Sequence, residues 1–243
     1  MIYAYTTFLY NPLLNTLIFF YNTIALRDFG LAIIVFTIFI RILLFPLFQK
    51  SARHQVVMQR LQPHLKKIEE KHKGDRDKQG QEMMALYKEH NFNPFFGFLF
   101  ILIQLPILIA LYRIFLNSLQ PDFLTGLYGF IYHPTTINIS FLNLINLGQR
   151  SIIMVALAAA AQYYQGVLTL PTFEENHEWT STEKVSRQMV FLGPVMTLII
   201  FYNMPAAVSL YWLVATLFSI FQQIIINKKT NHGELGIIRK KNN

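Results

Sequence analysis

The sequence predicts an all-α integral membrane protein, a bundle of five transmembrane helices with its N-terminus outside and its C-terminus inside. Hydrophobic residues make up 53% of the 243 residues and charged residues only 14%, whereas soluble domains typically contain about a quarter charged residues. The charges cluster in a few segments and leave long apolar runs between them. A run of about 20 apolar residues spans the roughly 30 Å hydrocarbon core of a bilayer, so this distribution predicts a membrane bundle.

The charge balance is basic, with a formal net charge of +8 and a sequence pI near 9.6. Such a balance is typical of proteins that contact nucleic acid or an anionic membrane face, and the apolar runs favour the membrane. We therefore expect no direct DNA binding. The absence of cysteine excludes disulfides and thiol chemistry. Residues 1–24 contain no Lys or Arg, so we expect neither a cleaved signal peptide nor a transit peptide, and a bacterial inner membrane is the favoured location.

The N-terminal segment 1–28 is apolar but carries a polar stripe. Asn15 and Asn22 are seven residues apart, as are Thr16 and Thr23, which places them on one helical face. This pattern predicts an amphipathic helix in the outer membrane interface. A first transmembrane helix is the alternative.

The basic segment 49–93 is predicted to be a cytoplasmic helical hairpin. Residues 49–91 contain ten Lys or Arg against six acids, which places the segment inside by the positive-inside rule. Gly74-Asp75 is a turn signal. Pro63 is predicted to lie in the first turn of a new helix.

The remaining segments follow from apolar length and from charge. The loop 117–149 contains no Lys or Arg, which predicts an external location. Residues 189–226 form an uncharged run of 38 residues that is too long for one crossing, and Asn203-Met204-Pro205 breaks it. The predicted order is a first span at 29–48, a second at 94–116, the external loop at 117–149, a third span at 150–169, a cytoplasmic loop at 170–188, spans at 189–203 and 206–227, and a basic cytoplasmic tail at 228–243.

Arg41 lies in the middle of the first predicted span. A central arginine costs about 2.5–3.5 kcal/mol on insertion scales, and no Asp or Glu lies in any predicted span. We therefore predict that Arg41 faces a hydrated cavity, with snorkelling or an ion pair as alternatives. Polar side chains of other spans can line such a cavity or form interhelical hydrogen bonds: Gln104, Gln162, Gln165, Thr197, Ser209, Ser219, Gln222 and Gln223. No nucleotide, metal-protease or hydrolase motif is present, so no enzyme activity, cofactor or metal is expected.

Four stretches are similar to the YidC/Oxa/Alb insertase family. They are FTIFIRILLFPL at 36–47, the hairpin from MQRLQPHLKK to EHNFNP at 58–94, LIQLPILIALYRIF at 102–115 and FYNMPAAVSLYWLVATLFSIFQQ at 201–223. The resemblance covers most of the chain and implies five helices around a hydrophilic groove that opens to the cytoplasm and the lipid.

The resemblance also implies residue roles. Arg41 matches the groove arginine, Gln165 or Gln162 the groove glutamine, and Tyr211 with Trp212 the aromatic pair that contacts a sliding client helix. With Gln104, these form the expected client-contact set. The hairpin is expected to recruit clients and partners through six residues: Pro63, Lys66, Lys67, Lys71, Met83 and Tyr87.

The implied function is insertion of client transmembrane helices without nucleotide hydrolysis. The expected partners are nascent membrane-protein clients, membrane lipids, a Sec translocon, the signal recognition particle receptor and the ribosome. The chain resembles the short family form, because it lacks the large periplasmic domain of Gram-negative members. It departs from many Gram-positive members in having no lipobox cysteine. A small channel or transporter and a non-catalytic assembly scaffold are the alternatives.

Overall fold

The computed structural model describes residues 2–90, 92–93, 96–118, 121–170 and 187–231. Most of the predicted loop 170–188 and of the tail 228–243 lies outside these residues. The described chain is mostly helical, as predicted, and its helices are in order: α1 Ile2–Tyr5, α2 Asn11–Thr23, α3 Phe29–Leu43, α4 Phe45–Lys71, α5 Arg76–Glu89, α6 Phe96–Asn117, α7 Ile152–Leu168, α8 Leu192–Phe201 and α9 Ala206–Asn231.

The N-terminal helices pack against the bundle. A π-helical turn, Thr6–Tyr10, joins α1 to α2, and α2 buries an apolar face that includes Leu14 and Leu17. The polar stripe predicted on this segment contacts protein: Asn15 donates to Gly126 O at 2.9 Å and accepts from Tyr128 N at 2.7 Å. The amide therefore satisfies backbone groups of the α6–α7 connection, a pairing that helical periodicity alone does not reveal.

The predicted first span is bent. Asp28 caps α3 by accepting from Leu31 N at 2.8 Å, but α3 ends at Leu43, and α4 begins at Phe45 with a 71° change of direction. Pro46 thereby occupies the first turn of α4, where its missing N–H costs nothing. The 29–48 segment is therefore two helices and not one continuous helix.

α4 continues as the first arm of the predicted hairpin and is 27 residues long. Pro63 lies inside this helix, so the prediction that it begins a new helix is wrong; the neighbouring turns of a long helix outweigh one lost hydrogen bond. The turn contains Gly74 with a φ of 95°, a conformation that glycine adopts without steric cost. Asp75 then caps α5 by accepting from Lys78 N at 3.1 Å.

The connection between α6 and α7 is not purely irregular. It contains a short 3-10 helix, Pro121–Leu124, and two antiparallel strands, β1 Ser140–Phe141 and β2 Ile145–Asn146. The all-α prediction did not include this small hairpin, whose two-residue strands are too short for a period-2 pattern. Asp28 Oδ2 accepts from Leu142 N at 2.6 Å, which ties the hairpin to the start of α3.

The bundle core is formed mainly by α2, α3, α6, α7 and α9 with this connection. Among the described residues, Ala206–Lys228 is the single helix long and apolar enough to cross a membrane, with a mean hydropathy of 1.6. The bent pair Phe29–Leu43 and Phe45–Met58 meets the same criterion when taken together. Three further apolar helices are shorter than a full crossing.

Candidate functional site: a polar cavity around Arg41

Arg41 lies in the last turn of α3, and its side chain is held inside the bundle. Only 8% of the residue is exposed. Nη1 donates to Ser219 Oγ on α9 at 3.1 Å, and Ser219 Oγ donates in turn to Ala215 O at 3.0 Å. The guanidinium carbon lies 4.1 Å from the centre of the Phe48 ring, a cation–π contact of about 0.5–2 kcal/mol. The bend after α3 places Phe48 beside the arginine.

The side chains around Arg41 enclose a cavity of about 140 Å³, called here the Arg41 cavity. Its lining is rich in amides and hydroxyls: Arg41, Phe48, Ser51, Ala52, Gln104, Gln165, Trp212, Thr216, Ser219, Gln222 and Gln223. Within the described residues, no carboxylate forms an ion pair with Arg41. A polar cavity of this size holds several water molecules, and water can hydrate the charge in place of a counter-ion.

Two polar atoms of the lining reinforce this interpretation. Trp212 Nε1 and Gln222 Nε2 are buried and have no hydrogen-bond partner among the described protein groups. Buried donors are usually satisfied, and burying one without a partner costs about 1–3 kcal/mol. Both donors belong to residues that line the cavity, and both are left without a partner by the described protein groups.

Helical spacing on α9 explains much of the lining. Trp212, Thr216, Ser219 and Gln223 are separated by four, three and four residues, so they share one face. Thr216 is not among the residues predicted from the sequence, although this spacing indicates it. Ser51 and Ala52 are not among them either, and they become neighbours of Arg41 because of the bend at Leu44.

The structure brings together some of the expected client-contact residues. Gln104, Gln165 and Trp212 line the Arg41 cavity. Tyr211 does not; it is buried in the core and accepts a hydrogen bond from Gln104 Nε2 at 2.8 Å. Of the other polar candidates, Ser219, Gln222 and Gln223 line the cavity.

Gln162 lies in a second, more open cavity of about 420 Å³ between α4, α7 and α8, called here the Gln162 cavity. Thr197 donates to Gln162 Oε1, so these two candidates pair with each other. Gln165 lines both cavities and therefore lies between them. Ser209 is fully buried and does not belong to either lining.

The expected recruitment residues lie on the hairpin, away from the cavity lining. Pro63 and Lys67 are exposed, while Lys66 pairs with Glu70 at 3.6 Å and Lys71 pairs with Glu82 at 2.8 Å.

The two apolar hairpin candidates, Met83 and Tyr87, are half-buried. The Tyr87 ring lies 5.2 Å from the Phe92 ring, and burial raises the pKa of its hydroxyl. The neighbouring Met84 is the more exposed methionine, with 47% of its surface accessible.

The outer surface of the bundle is apolar. Ile42, Ile199 and Phe221 are each at least 60% exposed, and many other large apolar side chains point outward with them. A water-soluble helix bundle has polar residues in such positions. The fold and the cavity thus define a helical membrane protein with a polar interior site.

The chain belongs to the 60Kd inner membrane protein family, whose pattern it matches over residues 19–233. It is 35% identical over 201 residues to the membrane protein insertase YidC of Clostridium tetani, covering 83% of this chain and 82% of that one. It is 32% identical over 225 residues to the YidC insertase of Fusobacterium nucleatum, covering 92% and 98%. The resemblance expected from the four sequence stretches is confirmed.

Other relatives are longer. The chain is 34% identical over 226 residues to the YidC insertase of Campylobacter jejuni, where the match covers 93% of this chain but 39% of the relative. The fold is similar to a crystal structure of an active YidC insertase with its first transmembrane domain resolved, with a TM-score of 0.60 and 24% identity over 87% of this chain and 45% of that one.

Proposed function

We propose that the protein is a membrane insertase that moves client transmembrane helices into the bilayer through the Arg41 cavity, without nucleotide hydrolysis. The observation that carries this proposal is a buried arginine in a polar cavity inside a bundle whose outer surface is apolar. The names of the relatives support it.

The proposal includes a topology of five spans, with the N-terminus outside and the C-terminus inside a bacterial inner membrane. The hairpin is then cytoplasmic, and the 118–151 connection with its β-strands covers the outer end. Two features support this orientation: the basic hairpin and the lack of Lys and Arg between 117 and 149. The apolar outward faces of α3, α7 and α8 support the placement of these helices in the membrane.

The proposed mechanism is electrostatic and hydrophobic. A polar external segment of a client cannot enter hydrocarbon cheaply, because its polar groups lose water. The Arg41 cavity supplies a cation and free donors part of the way across, which shortens the apolar path and attracts acidic client residues. The apolar helix of the client then leaves into lipid, driven by burial of its own surface.

Gln165 and Trp212 are proposed to guide the client. Gln165 lies between the Arg41 cavity and the Gln162 cavity, and both residues present polar groups to a chain in the cavity. Trp212 combines a free Nε1 donor with a ring that packs edge-on against Phe201, at 5.3 Å between centroids. A client backbone can hydrogen-bond to the first and pack against the second.

The hairpin is proposed to recruit partners by charge. Lys67, Lys73, Arg76 and Lys88 are exposed and lack an ion pair within the described residues. Such a surface attracts polyanions and acidic proteins. Nascent clients, the ribosome, the signal recognition particle receptor and a Sec translocon are the proposed partners, and anionic lipids are the surrounding surface.

The central test is replacement of the arginine. In reconstituted vesicles, we expect Arg41→Ala to reduce insertion of a client with an acidic external segment by about tenfold, equivalent to about 1.4 kcal/mol. A matched client with a neutral segment should lose much less, because it has no charge to attract. Arg150→Ala, which removes an exposed arginine at the start of α7, is the control and should insert both clients normally.

Equal loss for both clients would contradict the electrostatic role of Arg41. Photocrosslinkers at Gln165, Trp212 and Met84 separate the alternatives. An insertase should crosslink clients at the first two positions during insertion, a scaffold only at Met84, and a channel should conduct ions in vesicles without any client.

A further inference from the structure

A second arginine, Arg113, lies near the C-terminal end of α6, at the end of the bundle away from the α4–α5 hairpin. It does not line the Arg41 cavity. It lines a separate cavity of about 440 Å³, called here the Arg113 cavity, with side chains from the N-terminal π-helical turn and from the start of the α6–α7 connection. Ligand sites are typically clefts of about 300–1,000 Å³.

The walls of the Arg113 cavity are held by hydrogen bonds. Asn117 Nδ2 donates to Tyr10 Oη at 3.0 Å, which joins α6 to the π-helical turn. Asn15 Nδ2 donates to Gly126 O, which fixes the connection on the opposite wall. A Cβ at Gly126 would lie 3.1 Å from Asn11 Oδ1, so the backbone there is closely packed.

Arg113 is an exposed polar group of this cavity, and the Tyr5 hydroxyl is a buried one beside it. The Arg113 guanidinium carbon lies 5.4 Å from the centre of the Tyr5 ring, and the residue is exposed. Tyr5 Oη is buried and has no hydrogen-bond partner among the described protein groups. The adjoining π-helical turn is a rare conformation that occurs frequently at functional sites.

We propose that the Arg113 cavity binds the phosphate group of an anionic phospholipid. A guanidinium donates two parallel hydrogen bonds to phosphate oxygens, and a tyrosine hydroxyl adds a third donor. Residues 114–149 contain no Lys or Arg, so Arg113 is the cation that this part of the chain contributes.

The surroundings of the cavity select a lipid over a soluble anion. Phe8, on the π-helical turn, is 79% exposed, and Leu116, one turn beyond Arg113 on α6, is also exposed. Neither side chain lines the cavity, but Leu116 lies one turn from Arg113, and Phe8 lies on the turn that carries the cavity residues Thr6 and Tyr10. A molecule that joins a phosphate to acyl chains can use the cation and this nearby apolar surface together. An acidic client segment would use the cation but not these apolar side chains.

The test is native mass spectrometry of the full chain in detergent, titrated with phosphatidylglycerol. We expect Arg113→Gln to lower the affinity for the most tightly bound phosphatidylglycerol molecule about tenfold, because one charged hydrogen-bonding partner is lost. Tyr5→Phe removes one hydroxyl while keeping the ring, and should weaken binding about threefold. Arg150→Gln makes the same charge change at an exposed position and should leave binding unchanged.

Three results would overturn the proposal. The first is equal lipid affinity for Arg113→Gln and Arg150→Gln, with Tyr5→Phe like the wild type. The second is displacement of the lipid by inorganic phosphate at equal concentration, which would indicate a site for a soluble anion. The third is displacement by an acidic client peptide. Insertion activity is not measured, so the result is independent of the proposed insertase function.

Discussion

At the scale of single residues, Arg41 is stabilised inside the bundle by several weak contacts. It has a hydroxyl acceptor in Ser219, an aromatic face in Phe48 and a polar cavity beside it. A charged hydrogen bond contributes about 1.5–3 kcal/mol and a cation–π contact about 0.5–2 kcal/mol. Together, the two contributions are comparable with the cost of placing an arginine at the centre of a membrane helix on insertion scales. The guanidinium donors that do not face Ser219 remain for a client.

Gly30 is a second residue whose identity the packing dictates. A Cβ at this position would lie 2.6 Å from the Phe141 Cβ, closer than real side chains approach. We expect Gly30→Ala to destabilise the protein by about 1–3 kcal/mol, because it overpacks the contact between α3 and β1. Thermal unfolding in detergent measures the effect.

Two variants make the Gly30 experiment specific. Gly129 lies in the α6–α7 connection, which also contains Phe141. Gly129→Ala places its Cβ in open space and should change stability little. The double variant Gly30→Ala with Phe141→Gly should be destabilised less than the sum of the two single variants, because both the Cβ and the ring that clash are removed. A single Gly30→Ala variant as stable as Gly129→Ala would show that α3 and β1 are not packed as described.

At the scale of elements, the bend at Leu44 determines the composition of the site. A straight helix through this region would place Phe48 about 10 Å and Ser51 about 15 Å from Arg41 along its axis. The 71° turn brings both into the Arg41 cavity. Pro46 gave a sequence signal for it, but the position of the break depends on packing against α6 and α9, which periodicity does not contain.

The hairpin contains an acid-sensitive contact at its tip. Glu82 Oε1 lies 2.8 Å from Lys71 Nζ and 2.8 Å from His72 Nε2. Hydrogen bonds from Lys71 and then His72 hold the pKa of Glu82 below its ordinary value. A carboxylate with a lowered pKa stabilises the fold above its unfolded pKa of about 4.3, and that contribution is lost as pH falls through the lower folded value.

We therefore expect the α4–α5 tip to open on acidification below about pH 4.3. Amide hydrogen exchange, corrected for the intrinsic rate at each pH, should show lost protection in α5. Glu82→Gln should be less protected at neutral pH and less sensitive to acid. Asp75, whose pKa is lowered mainly by the Lys78 backbone N–H, keeps some sensitivity in that variant.

Glu89→Gln is the matched control for the hairpin experiment, since this exposed acid lies at the other end of α5. It should behave like the wild type across the whole pH range. If Glu82→Gln and Glu89→Gln have the same protection profile, the contact between Glu82 and Lys71 does not stabilise the tip.

At the scale of the whole molecule, the sequence predicted the helical class, the family and the polar surroundings of Arg41. These follow from local patterns: apolar runs, charge clusters and the lone arginine. The sequence could not distinguish Gln165 from Gln162, because residues three apart on one helix share a face. Which of the two reaches the Arg41 cavity depends on the neighbouring helices. Gln162 is paired with Thr197 on α8, whereas Gln165 reaches the Arg41 cavity.

Tyr211 and Thr216 illustrate the same limit on α9. Tyr211 is adjacent to a cavity residue in sequence but points into the core, where it accepts from Gln104. Thr216 lines the cavity and was not predicted, although its spacing of four residues from Trp212 and three from Ser219 indicates a shared face. Which face of an apolar helix is turned inward depends on tertiary contacts, and a helix that is apolar all round does not encode it strongly.

The arrangement of the chain across the membrane is open to direct measurement, because the sequence contains no cysteine. Phe130 is 83% exposed in the α6–α7 connection, and Met84 is 47% exposed on α5. With the proposed topology, Phe130→Cys should react with an impermeant maleimide on intact spheroplasts. Met84→Cys should react only after the membrane is permeabilised, because the hairpin and the connection lie at opposite ends of α6. Labelling of both positions before permeabilisation, or of neither, would contradict a crossing by α6, and the reverse pattern would invert the proposed orientation.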